Sequence, residues 1–510
     1  MGNGFRDHDR KTFIADTAAA YARGRINKRE FLRRTTLAGL GLSTFATTFL
    51  GQGRPFGGLT NVGTDLVAAE MPADVRKWLQ EVGGKFKGTT VRFTSEATAP
   101  TIVANQIARD EFTALTGINV EIEIVPLEQV LQKATLDVQG QLGTYDLYYL
   151  DQSWMATFAP DTVDPREKYQ SDKELAMPGF DWDDFSKPLV DGISMYDGKM
   201  VGIPFDIPIF VLMYRKDLFD KHGIKVPTTM DEYMAAVKGI DGAERGNGIY
   251  GTTGQLKSGH YSLNCDWTAW LWSHGGSIFD KAGMFSGGDA DGIAGLNYML
   301  ELVKHMPPAA TTWTWDGQGQ SASQGVAGML ISWGEFFPGF DGQNSKVAGL
   351  MEAAIPPKEK KLRSPSEAGF GEIPHIGHQG GSALALSSYS KNQDAAWIFM
   401  QWVCSKDVMA RVSTLGGGAS PMRLSSFEDP RVLAAAKPGP GTTRHFPAIR
   451  WTIDNAMGSE PDMPAWAEIS NNVVPVEIGK LLAGQYRSGE ECMAAIKTKA
   501  DELAAPFRKA

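Results

Sequence analysis

Three cysteines in 510 residues are too few for a disulfide framework or a four-cysteine iron–sulfur cluster. Cys265, Cys404 and Cys492 are far apart, allow at most one bridge and offer no metal-binding pair by spacing. Cys404 sits in an apolar segment and reads as a buried small hydrophobe. Long basic runs are missing beyond the N-terminus, and the formal charge is −9. That balance argues against nucleic acid, because little of the chain would release phosphate counterions. The N-terminal apolar stretch, Thr35 to Leu50, is shorter than the ~20 residues of a membrane span and rich in Gly and Thr. No P-loop, G-x-S-x-G, H-E-x-x-H or paired C-x-x-C occurs. What is plentiful is glycine, with 57 residues, and tryptophan, with 13. With 42 % hydrophobic and 21 % charged residues the chain is globular, and its length suits two to four domains of about 150 residues.

The N-terminus differs from the rest. Residues 1–34 are strongly basic, and the mild apolar stretch follows. This order reads as an export signal. Lys28-Arg29-Glu30-Phe31-Leu32 resembles the twin-arginine motif, with Lys in place of the first Arg, and Val67-Ala68-Ala69 is a candidate cleavage site. No cysteine follows the apolar stretch, so a lipid anchor is not expected. Residues 1–69 are assigned to signal and linker.

The ordered chain is expected from about Gly84. Thr89–Thr94 is a short strand. Ile102, Val103, Ile107, Phe112 and Leu115 share one helix face, closed by Gly117. Ile118–Ile124 alternates as a strand with one buried face, Glu128–Gln139 is a helix, and Tyr145–Leu150 is an apolar strand. Strand, helix, strand, helix, strand marks a parallel α/β sheet, whose ligands sit beyond the carboxyl ends of its strands. Gly198–Lys216 carries two prolines in an apolar run and is therefore extended, as a crossover between lobes would be. Helices follow to Met306. Residues 307–325, 356–381 and 438–441 read as loops, and Trp466–Arg508 as two helices split near Gly484–Gly489. Crossings near Phe205–Pro208, Gly380 and Pro438 describe two discontinuous lobes, the geometry of a hinged clamshell.

Several segments, in order, resemble the extracellular solute-binding proteins of bacterial ABC importers, in the carbohydrate-binding group that includes maltose-binding protein. Phe112–Val120 resembles its "F-x-x-x-T-G-I-x-V" element, and Tyr145-Asp146-Leu147 with Trp154 its "Y-D … W" element. Asp197–Phe205 with Tyr214–Phe219 is similar to its first hinge and the helix after it. Trp272–Gly276 resembles "W-x-x-G-G", and Gly325–Met329 before Trp333 "G-x-A-A-M … W". Gly380-Gly381 before Trp397 resembles the second hinge, and Gly416–Pro421 a Gly-rich turn. The N-terminal extension and the 356–378 loop depart from the pattern. The resemblance implies an α/β periplasmic-binding-protein clamshell, with lobes of residues 86–206 plus 381–437 and 207–380 plus 438–510.

A sugar cleft needs carboxylates and amides for hydroxyls and rings for CH faces. By position after a strand, Glu96, Asp151 and Trp154 are candidates; each could instead cap a helix or fill the core. Asp206 lies in the first crossover. Glu335 stands two residues beyond Trp333. Gly381 would let backbone approach a ligand, or serve only as a hinge glycine. By resemblance, Trp333 matches a cleft tryptophan that stacks on sugar. Asp266, Trp267 and Trp270 lie on a helix matching the cleft edge, and Trp466 opens a helix that often carries a cleft aromatic. Core packing is the rival reading for every indole.

The expected function is a periplasmic, non-catalytic receptor for a sugar or polyol, exported by the twin-arginine route, monomeric and docking on the permease of an ABC importer. No cofactor or metal is expected; His375-x-x-His378 has no clear third ligand. The alternatives are an exported glycan-processing enzyme, whose carboxylates need not be close in sequence, and a receptor for a peptide or polyamine.

Overall fold

The computed structural model describes residues 71–358, 377–415 and 419–508. The export motif, the cleavage candidate, His375 and Gly416–Gly418 lie outside the described residues.

The first sheet is built on strands β1 (Thr90–Ser95), β2 (Asn119–Ile124) and β3 (Leu147–Asp151). β1 pairs with β2 and β3 in parallel. Two later strands extend the sheet: β5 (Ile203–Asp206) and β10 (Ser382–Ser387), with the short β4 (Thr162–Val163) at the far edge. β10 runs antiparallel to β3, with Ser382 opposite Asp151, and also antiparallel to β5. β2 differs from expectation. It is an edge strand, so Val120 and Ile122 are only half-buried and Ile124 is exposed.

Helix α2 (Ala99–Ile107) continues through a π-type turn at Ala108–Thr113 to Gly117, whose φ of 72° ends it in the left-handed region. The apolar face read from the sequence buries Val103 and Phe112, and Phe112 meets Phe399 and Trp402 at 5.1 Å. α3 (Leu127–Gly140) is the crossover from β2 to β3. The fold begins earlier than Gly84. Helix α1 (Ala73–Glu81) buries Val75, Trp78 and Leu79. Its sequence is mostly polar, so only three anchoring positions betray it.

The second sheet is β8–β6–β7: β6 (Phe210–Arg215) lies between β7 (Met329–Trp333) and β8 (Met351–Ala354), all antiparallel. Around it pack α4 (Met230–Glu244), α5 (Tyr261–Trp272), α6 (Ala290–Val303) and α7 (Trp315–Ser323). Thr229 and Glu232 close a capping box at the start of α4. α7 falls inside the stretch expected to be a loop. Its Gly, Gln and Ser are weak helix formers, and Gln318 and Ala322 hold it by burial. The C-terminal helices, Val474–Leu482 and Gly489–Ala504, split where expected.

The chain leaves the first sheet at Asp206 and enters the second at Phe210. It returns beside this crossing: Ile209 bridges Gln379, and the Gly380 N–H donates to the Pro208 carbonyl at 2.8 Å. All three cysteines are free and buried, Cys404 among them.

Candidate functional site

The two crossings bring the ends of both sheets together. Glu96 follows β1, Asp151 ends β3 and Asp206 ends β5, so three carboxylates stand at the carboxyl edge of the first sheet. Glu335 stands two residues beyond β7 of the second sheet, and Asp316 lies in the first turn of α7. The charges of Asp316, Asp206, Glu128 and Asp151 all act on Glu96, and that of Asp206 acts on Glu335. The acids of the two sheets therefore face one space.

Burial is the main cause that raises these groups above the ordinary carboxylate range. Asp206 is pushed up to about 6 and Asp316 to about 6, and Glu96 and Glu335 are raised well above theirs. Asp206 is 2 % exposed and Glu335 6 %. One oxygen of each is satisfied: Tyr149 Oη donates to Asp206 Oδ2 at 3.1 Å, and the Ser420 N–H donates to Glu335 Oε1 at 3.3 Å. The other oxygen is not. Among the described residues, the buried carboxylate oxygens without a hydrogen-bond partner are Asp206 Oδ1, Glu335 Oε2 and Asp316 Oδ1. Such atoms are costly to leave unpaired, and an incoming N–H or O–H donor would relieve that cost.

Trp333 ends β7, two residues before Glu335, and is 6 % exposed. Its Nε1 donates to Gln255 Oε1 at 3.0 Å, and Gln255 in turn donates to Asp266 through Nε2 at 2.9 Å and through its backbone N–H at 3.2 Å. Phe210 meets the indole at 4.4 Å and 75°. The ring plane is thus fixed from two sides. A Cβ on Gly380 would stand 2.9 Å from the ring, so the crossover glycine makes room for it. Asp266, pushed up to about 7 by burial, holds Gln255 and so acts on Trp333 from behind. A Cβ on Gly381 would meet Gln379, Ile193 and Ile207. Its space belongs to the crossover.

The remaining candidates lie elsewhere. Trp154 is 1 % exposed, and Trp267 stacks on Phe285 in the interior. Trp270 is buried against Tyr233 and Tyr298. Trp466 is buried against Phe279 and donates from Nε1 to Glu460 at 2.6 Å. Asp151 is pushed up to about 7 by burial, and its Oδ1 accepts from the Ser153 N–H, Ser153 Oγ and Tyr261 Oη. Thus the charges of Asp151 and Asp206 act on Glu96 and that of Asp206 on Glu335, Asp266 holds Gln255 behind Trp333, and all five candidate indoles are buried.

Residues not singled out by the sequence complete the surroundings. Asp316 came from a stretch read as loop. Glu128, at the start of α3, pairs across the gap with His260 at 2.7 Å, and Trp315 meets the His260 ring at 4.6 Å. Behind the crossover, Cys265, His378 and Glu460 bring one ligand atom each within 4.8 Å. Both Glu460 oxygens already accept hydrogen bonds: Oε1 from Asn264 and His378, Oε2 from Tyr261 and Trp466. That carboxylate is satisfied by the protein itself and ties β9 (Gly377–His378) to α5.

Comparison with known proteins agrees with this architecture. Residues 97–410 match the family model of bacterial extracellular solute-binding proteins. A probable amino-acid ABC transporter periplasmic-binding protein of Sinorhizobium fredii is 24 % identical over 440 residues, 82 % of this chain and 89 % of the relative. The erythritol/L-threitol-binding protein of Mycolicibacterium smegmatis is 23 % identical over 426 residues, 78 % of this chain and 83 % of the relative. The crystal structure of an ABC transporter solute-binding protein of Agrobacterium radiobacter K84 in complex with ribitol superposes with a TM-score of 0.71. It is 26 % identical and covers 83 % of this chain and 99 % of its own. With its two-lobed α/β fold and a family match across most of its length, the chain belongs to the bacterial extracellular solute-binding proteins.

Proposed function

We propose that this protein is the periplasmic receptor of an ABC importer and binds a small polyol or sugar between its lobes without transforming it. The observation that carries the reading is the set of unpartnered buried oxygens on Asp206, Asp316 and Glu335, drawn from both sheets and set beside the fixed Trp333 ring. Hydroxyl groups donate to such oxygens, and a site built to accept those bonds rejects analogues that lack them. The balance of polar and aromatic groups favours a small acyclic polyol over a long saccharide. All five candidate indoles are buried, Trp333 at 6 % exposed, so few flat platforms remain for pyranose faces. Relatives that bind erythritol, L-threitol and ribitol support the same class.

In this reading Glu96, Asp206, Asp316 and Glu335 receive hydroxyls and Trp333 covers a CH face. The lobes are residues 86–206 plus 381–437 and 207–380 plus 438–510, with the helix at Ala73–Glu81 added to the first. Ligand bridges the lobes and favours the closed form, which docks on the permease as a monomer. Residues 1–69 direct export by the twin-arginine route. Titration calorimetry against four- to six-carbon alditols and simple pyranoses tests the proposal. Saturable one-site binding to an alditol is expected. Binding to none of them, with hydrolysis of a glycoside instead, would overturn it.

A further inference from the structure

Many buried carboxylates elsewhere among the described residues are matched. Asp341 has Arg444, Glu477 has Lys480 and Lys499, Glu244 has Lys221, and Asp184 has Arg423. Those without a cation have donors on both oxygens: Asp137, Asp146, Asp266 and Glu460. The cleft breaks the rule. Among the described residues, no Lys or Arg forms an ion pair with Glu96, Asp206, Asp316 or Glu335. The His260 ring, whose charge bears on Asp316, is engaged by Glu128 at 2.7 Å.

The three unpartnered oxygens therefore belong to carboxyl groups that no Lys or Arg among the described residues pairs. Asp206 and Glu335 are each more than nine-tenths buried, with Oδ1 and Oε2 unpaired, and the charge of one bears on the other. Thr98 and the Ile207 backbone N–H also bear on Asp206, and Ser382 stands opposite it on β10. A neutral polyol donates hydrogen bonds to these atoms and leaves their summed charge in place. A primary ammonium does more: it brings three donors and the missing charge to one point. Buried charge is tolerated when it is paired, and among the described residues no Lys or Arg pairs with these acids.

We propose that the physiological ligand is a cationic polyol, one that carries a protonated amine among its hydroxyls, with the ammonium seated between Asp206 and Glu335. The proposal rests on the polyol reading above. Hydroxyls on the same chain meet Glu96 and Asp316, and Trp333 covers the carbon backbone.

Matched pairs test it, each differing by a single exchange of hydroxyl for ammonium: D-glucitol against 1-amino-1-deoxy-D-glucitol, and ribitol against 1-amino-1-deoxyribitol. Calorimetry at pH 7.5 and low salt is expected to give the amine at least a tenfold lower Kd. The advantage is expected to shrink in 0.5 M salt and at pH 5, where the carboxylates gain protons. Asp206→Asn and Glu335→Gln, checked for folding by circular dichroism, are each expected to weaken the amine far more than its neutral partner and so to remove most of the amine's advantage. Equal or tighter binding of the neutral partner in both pairs would overturn the inference and leave the polyol reading standing. Failure of all four compounds, together with the wider alditol panel, would overturn both. An amine advantage unchanged in both variants would also overturn the inference, because the charge would then be read elsewhere.

Discussion

Replacing Asp206 by Asn should make the empty protein more stable and the receptor weaker, two effects of opposite sign from one oxygen-to-nitrogen exchange. Burial raises the Asp206 carboxyl from 3.8 to about 6. A group raised in this way contributes stability that is complete below its unfolded pKa and is lost as pH rises through its folded pKa. At about 1.36 kcal/mol per unit, the ionised carboxylate costs the fold roughly 3 kcal/mol at pH 7.5. At pH 5 the native group is mostly protonated, and the same linkage leaves roughly half that cost. The 2 % exposure of the residue leaves little solvent to screen it. Asn keeps an oxygen for the Tyr149 hydroxyl, so the bond at 3.1 Å can persist. With some loss for imperfect packing, the variant should gain about 2 kcal/mol at pH 7.5 and about half that at pH 5. In a chain of this size that corresponds to a rise in Tm of about 2 to 4 °C at the higher pH. Differential scanning calorimetry of the unliganded protein at both pH values measures the gain, and titration calorimetry measures the expected loss of at least tenfold in ligand affinity. A lower Tm in the variant, or a gain that does not depend on pH, would refute the reasoning, because the buried charge would then not be a burden on the fold.

Other predictions follow from neighbouring contacts. Trp333→Ala removes a buried indole and should cost about 3–5 kcal/mol in urea unfolding as well as affinity. Gln255→Ala should lower affinity at smaller cost to stability, because it releases the ring without emptying the site. Gly380→Ala places a methyl 2.9 Å from the Trp333 ring and should weaken binding severalfold. Trp267→Ala should lower Tm by several degrees and leave the Kd of the folded fraction unchanged. Glu128→Gln should speed ligand release about twofold in stopped-flow traces, since the pair with His260 is half in solvent and worth about 0.5 kcal/mol. Glu128 is held below its ordinary range, with burial opposing and the His260 hydrogen bond lowering it. The pair's contribution is therefore present above the ordinary carboxylate pKa and should fade as pH falls through the folded one.

The fold was legible wherever residue periodicity has a single structural meaning. β1, α2, α3 and β3 came from spacing alone, and the first crossover from two prolines in an apolar run. Helix α7 was not legible, because its Gly, Gln and Ser form a helix only when Gln318 and Ala322 are buried by the rest of the protein. The acids at strand ends were visible because a parallel sheet fixes where its functional edge lies. Glu96 and Asp151 needed no more than that rule, whereas Asp206 was read from its place in the crossover. The tryptophans were harder. An indole in a cleft and one in a core look alike in a sequence, and only the neighbours of Trp267, Trp270 and Trp466 tell them apart. Asp316 carried no local signal, since it reaches the site from a stretch with the composition of a loop. The pairing of Cys265 and His378 with Glu460 could not be seen either, because its members are separated by more than eighty residues at each step.

The two chain segments that join the sheets are stitched together by the Ile209–Gln379 bridge and by the Gly380 hydrogen bond to Pro208. Two separate threads would let one half of the molecule wander, roll and slide over the other. A ribbon of two bonded strands resists twisting and shear and yields most easily to bending across its face. Opening and closing then follow one path, like a door on two pins. A membrane partner that senses the gap between the lobes would meet the same shape at every closure, and ligand chemistry would decide only how often it meets it.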